Sequence, residues 1–110
     1  MAECPSPFGL IVPSVREALT LSVTGPTWPS YNGTYQYNGE FNGRPKFKKV
    51  DSNHFIYFGH FLGFPFWYIN TTDEAVPPAG PFWWNNTTAI AGIYGPEGGP
   101  SGDKTVVITV

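Results

Sequence analysis

His54 and His60 are the side chains best suited by type to hold a metal ion or move a proton, and they stand on alternating positions of one stretch. If that stretch is extended, both lie on one face. At roughly 3.3 Å per residue they are then about 20 Å apart, too far to chelate one ion. The carboxylates Asp51, Asp73, Glu74 and Asp103 fall in turn-like contexts, where Asp serves its own backbone, and no pair is spaced for acid and base work. The serines lie in loops without a nucleophile-elbow pattern, and no Gly-rich run precedes a helix to cradle phosphate. The single cysteine, Cys4, excludes an intramolecular disulfide and a Cys-based zinc site. These residues argue for a protein that is not an enzyme and that uses no metal and no cofactor.

The indoles offer a different chemistry. Trp28, Trp83 and Trp84, with Trp67 and nearby Tyr, could stack against pyranose rings while neighbouring Asn supplies hydrogen bonds. The same rings are needed as core in a chain poor in Leu and Ile, so core is the preferred assignment, with Trp28 as a lid, and a glycan platform the alternative. Four Asn-x-Ser/Thr sequons, at Asn32, Asn70, Asn85 and Asn86, read as turn chemistry rather than as glycosylation sites.

A chain of 110 residues forms one domain that can bury its own core if the core is well filled. Thirteen Gly and twelve Pro favour tight turns and short strands over helix. A formal net charge of −2 with 13% charged residues gives no basic footprint for nucleic acid. No run approaches the roughly 18 apolar residues of a membrane helix, and the opening Met1-Ala2-Glu3-Cys4-Pro5 lacks the basic start and apolar run of a signal peptide. A soluble product made in the cytoplasm, without a membrane partner, is expected.

Residues 53–70 organise the chain, because eight of the nineteen Phe, Tyr and Trp residues lie between Phe55 and Tyr68. So many rings are either core or contact surface. Around 54–60 both faces of a strand would be largely apolar; the spacing predicts its return at 66–69, with a loop at 60–65. Alternation of Leu19, Leu21 and Val23 with Thr and Ser predicts a first strand at 18–24. The Asn-Gly pairs after Tyr31, Tyr37 and Phe41 predict a meander with hairpin turns near 38 and 42, Asn32-Gly33 serving instead as a bulge or the start of a strand. Further strands are expected at 45–50, at 82–84 as a short strand or wedge, at 90–94 as an edge, and at 104–110 beside the first strand or across a subunit boundary. Residues 95–102 read as a flexible loop. Residues 1–17 read as an extended arm, with at most one helical turn after Ser14, whose apolar Phe8, Leu10, Ile11 and Val12 could dock on a neighbouring subunit. The expected class is all-β, a small antiparallel β-sandwich or barrel-like meander over 18–110.

Leu21-Ser22-Val23-Thr24-Gly25, Tyr31-Asn32-Gly33-Thr34-Tyr35, Phe41-Asn42-Gly43-Arg44-Pro45-Lys46-Phe47, Phe55-Ile56-Tyr57-Phe58 and Trp67-Tyr68-Ile69 occur in that order. Together with the Pro-rich loop and a final Trp, they resemble a small β module of tailed-bacteriophage virion proteins and of large multidomain microbial and protist proteins. The resemblance covers residues 19–84. Its shared residues are turn formers and core aromatics, with no catalytic residue among them. It implies a display or assembly module, and in a stand-alone chain a capsid decoration or cement protein of the virion. Its partners would be capsid or other virion proteins and further copies of itself, with a trimer the natural arrangement at a capsid symmetry axis. A carbohydrate-binding module on a tail or host-recognition surface is the alternative.

Overall fold

The computed structural model describes residues 19–76, 78 and 80–109. The expected arm, with Phe8, Leu10, Ile11 and Val12, lies outside the described residues. Eight strands follow in chain order: β1 (Thr20–Thr24), β2 (Gly33–Phe41), β3 (Arg44–Lys49), β4 (Phe55–Phe61), β5 (Phe64–Asn70), β6 (Phe82–Asn85), β7 (Gly92–Glu97) and β8 (Lys104–Thr109). Each pairs antiparallel with the next, and β8 returns to β1 from Thr20↔Thr109 to Thr24↔Thr105, so the sheet closes into a barrel rather than splitting into a sandwich. Among the described residues one 3₁₀ turn, Pro29–Tyr31, precedes β2.

Alternation fills the barrel. Leu21, Val23, Tyr35, Phe47, Ile56, Phe58, Trp67, Ile69, Trp83, Tyr94 and Val106 point inward and are buried, with Tyr31 packed beside them. An eight-stranded barrel has an interior that side chains can fill completely. The polar atoms of these rings are satisfied: Tyr35 Oη donates to Tyr31 O (2.7 Å), Tyr94 Oη to Ile90 O (2.6 Å), Trp67 Nε1 to Thr88 O (3.0 Å) and Trp83 Nε1 to Gly102 O (2.9 Å).

Three boundaries differ from the sequence expectation. Asn42-Gly43 is a two-residue turn with both φ positive (54° and 75°), but Asn38-Gly39 is a bulge inside β2, where the register slips between Tyr37 and Glu40. The β4–β5 ladder continues to Phe61↔Phe64, so the loop expected at 60–65 shrinks to Leu62-Gly63. The segment from Gly95 that reads as a flexible loop continues β7 to Glu97, and β7 is paired on both sides, by β6 and β8, rather than forming an edge.

Candidate functional site

The rings of β4 and β5 divide by parity. Ile56, Phe58, Trp67 and Ile69 enter the barrel; Tyr57, Phe66 and Tyr68 lie on its outer surface, where Phe41, Phe55, Val76, Phe82 and Trp84 pack around them. A second apolar layer thus sits outside a barrel already filled. Phe66 and Trp84 stack with centroids 4.8 Å apart at 36°, and Tyr57 and Tyr68 lie 5.7 Å apart.

Part of this layer is roofed by the chain after β5. Tyr57 Oη donates to Ala75 O (2.6 Å), and burial pushes the Tyr57 phenol up to about 12. Val76 lies directly over Gly59, where a Cβ would stand 2.6 Å from Val76 Cγ2. Lys46 Nζ holds the strap from the side through Asp73 (2.9 Å) and Glu74 (2.7 Å). Burial opposes the Lys46 charge, but the hydrogen bonds it donates to Glu74 and Asp73, with their negative charges, outweigh it and raise its pKa.

Beyond the strap the layer is open. At the β4–β5 tip Phe61 is 37% exposed, Phe64 57% and Leu62 80%. Leu62 also has φ 54°, followed by Gly63 at 83°. Positive φ at both central residues is the pattern of a type I′ turn, which Asn-Gly satisfies without strain and Leu does not. Next to the tip, Phe61, Tyr68, Pro78, Phe82, Trp84 and Glu97 line an open groove of about 280 Å³.

The structure does not assemble the three indoles suggested as a glycan platform. Trp83 is wholly inside the barrel and offers no face to a ligand. Trp28 covers one end of it, edge to ring at 6.0 Å, while Trp84 belongs to the outer layer. The histidines also stay in separate surroundings: His54 meets Ser52 Oγ through Nδ1 (2.7 Å) and the Tyr31 ring at 4.5 Å, whereas His60 is exposed near the tip, 5.2 Å from the Phe58 ring. Asp51 pairs with Lys49 at 2.7 Å. Three sequon asparagines are tied into the fold: Asn32 bonds Gly25 O and Lys104, Asn70 is buried, and Asn85 donates to Ala89 O.

Sequence reasoning missed Leu62, Phe64 and Glu97 as surface features, and Lys104 as a buried one. Lys104 Nζ donates to Thr27 O, to Trp28 O (3.2 Å) and to Asn32 Oδ1 (2.8 Å), and stands 4.8 Å from the Trp83 ring centroid. Its burial pushes the pKa down. This ammonium anchors the loop carrying Trp28. For the tip, the available signal was a Leu-Gly pair between two Phe, in a position where Asn-Gly would be ordinary. Comparison of the chain with protein-family models, with curated proteins and with solved structures finds no match in any of the three.

Proposed function

We propose that this chain is a non-enzymatic virion structural protein of the capsid decoration or cement type, acting by adhesion to other virion proteins. The observation that carries the adhesive part is Leu62, an apolar residue four-fifths exposed and held in a left-handed conformation between two exposed Phe. Such backbone strain costs about 1 kcal/mol or more, and an exposed apolar tip adds no stability to the isolated barrel. Both features make sense when a partner covers the tip. The virion assignment rests on the resemblance to phage β modules. The arm residues Phe8, Leu10, Ile11 and Val12 supply a second contact in this scheme.

The test is co-sedimentation with capsid shells of the encoding phage. Leu62→Asn combined with Phe64→Ser should lower occupancy at least tenfold while the melting temperature stays equal or rises, and deletion of residues 1–13 should also abolish attachment with the barrel still folded. Unchanged occupancy in both variants overturns the proposal. The carbohydrate alternative keeps one favourable observation, the half-buried Trp84 beside Glu97 in the outer groove. Glycan-array binding lost in Trp84→Ala without loss of stability would favour it.

A further inference from the structure

The groove beside the tip has a chemistry of its own. On β6, Phe82 and Trp84 occupy alternate positions and face outward; across the ladders, Tyr68 stands opposite Trp84 and Glu97 opposite Phe82. The rings meet nearly at right angles, Tyr68 to Phe82 at 77° and 5.9 Å, and Phe82 to Trp84 at 74° and 6.5 Å. Crossed rings present π-faces from different directions. On the β7 side the residue opposite Trp84 is Gly95, where an added Cβ would meet nothing within 4 Å, so the space across the ladder from Trp84 is open.

Charge distinguishes the possible occupants. The Glu97 side chain is exposed at the groove and has no hydrogen bond or ion pair among the described residues. The five cations of the described residues are engaged elsewhere: Arg44 lies over the Phe58 ring, Lys46 is bound by Asp73 and Glu74, Lys48 donates to Lys49 O, Lys49 is bound by Asp51, and Lys104 is buried under Trp28. A neutral apolar side chain entering the groove would strip water from the Glu97 carboxylate without replacing it. A pyranose needs several directed hydrogen bonds, and the lining offers the Glu97 carboxylate and the Tyr68 hydroxyl. A volume of about 280 Å³ lies just below the range of small-molecule pockets, roughly 300 Å³ and up, and suits one long side chain.

We propose that this groove receives a cationic side chain, Lys or Arg, presented by a protein partner, with its charge against Trp84 and Phe82 and paired to Glu97. The inference deepens the adhesive function proposed above and rests on it for the identity of the partner as a protein. Cation–π attraction and an ion pair to a carboxylate act together in such a site.

The test follows the Trp84 indole N–H signal by NMR during titration with N-acetyl-arginine methylamide and N-acetyl-lysine methylamide. Neutral N-acetyl-norleucine methylamide and methyl glucoside serve as controls. A saturable shift with the cationic probes, half-complete at tens of millimolar or below, is expected. Glu97→Gln should weaken it roughly two- to fivefold, the scale of one exposed ion pair. Gly95→Val, which puts bulk into the open space across the ladder from Trp84, should weaken it, with the rest of the spectrum unchanged. An equal response to norleucine or glucoside, no response to either cation, or full binding in Glu97→Gln overturns the inference. The titration needs no capsid. A cation response in a protein that leaves capsid shells unbound therefore overturns the adhesive function and keeps the chemistry of the groove, whereas shell binding without a cation response overturns the groove inference alone.

Discussion

Gly59 shows how one missing side chain organises the outer surface. It lies on β4 opposite Phe66, and the space a methyl group would take is occupied by Val76 of the strap, whose Cγ1 and Cγ2 would be 3.0 and 2.6 Å away. Valine is β-branched and cannot swing clear without moving the backbone that carries Ala75, the acceptor of the Tyr57 hydroxyl. Gly59→Ala is expected to destabilise the barrel by about 1–3 kcal/mol, the range for overpacking a filled site. Urea denaturation measures it. Val76→Ala in the same chain should recover at least half of the loss, and purely additive effects would show that the two positions do not press on each other. In the sequence this glycine looks like a gap in an aromatic strand; its partner lies 17 residues on, in a segment with no periodicity to place it.

At the scale of the element, the hairpin turns explain what was legible and what was not. Three Asn-Gly pairs look alike in sequence, yet Asn42-Gly43 is a turn, Asn38-Gly39 a bulge, and Gly33 opens β2 at φ 139°. Local preference for positive φ permits all three, and the pairing of β2 with β3 decides among them. The alternation of β1 was readable because one of its faces is buried, the apolar run of β8 pointed to its place beside β1, and the all-β class followed from the density of turn formers. The second face of β4 was readable as apolar, but not as a layer outside a closed barrel, since that depends on where the strap and β6 come to lie. Glu97 stayed hidden because Gly95 and Pro96 disguise the strand it ends. Leu62-Gly63 carries the opposite mismatch, a turn without a turn residue. Leu62→Asn should therefore stabilise the isolated protein by about 0.5–1 kcal/mol, by relieving left-handed strain at an exposed position. A lower urea midpoint in this variant would mean that Leu62 packs on the barrel and is not held out for a partner.

For the whole molecule, closure matters most. With β8 paired to both β1 and β7, each described strand has a ladder partner on both sides over part of its length, whereas the β4–β5 tip, Phe61–Phe64, pairs only within its own hairpin. Closure also ties every strand into one cooperative unit, and a group that titrates at the base of β4 is felt by all of it. His54 is such a group. Burial, followed by the Lys49 ammonium and opposed by Asp51, holds its pKa below the ordinary 6.5. The unfolded chain then binds a proton near pH 6.5 while the barrel still resists, so acidification below that value favours unfolding until the lowered native pKa is passed; above it His54 contributes no slope. Asp51, whose pKa Lys49 holds below 3.8, loses its contribution only at lower pH and stays out of this window. The urea midpoint is expected to fall between pH 7 and pH 5.5, and His54→Gln should flatten that slope while leaving the midpoint at lower pH less affected than in the parent chain. A profile that keeps the same slope in His54→Gln, or a midpoint that rises on acidification, would show that the proton is taken up elsewhere and that the base of β4 is open to water.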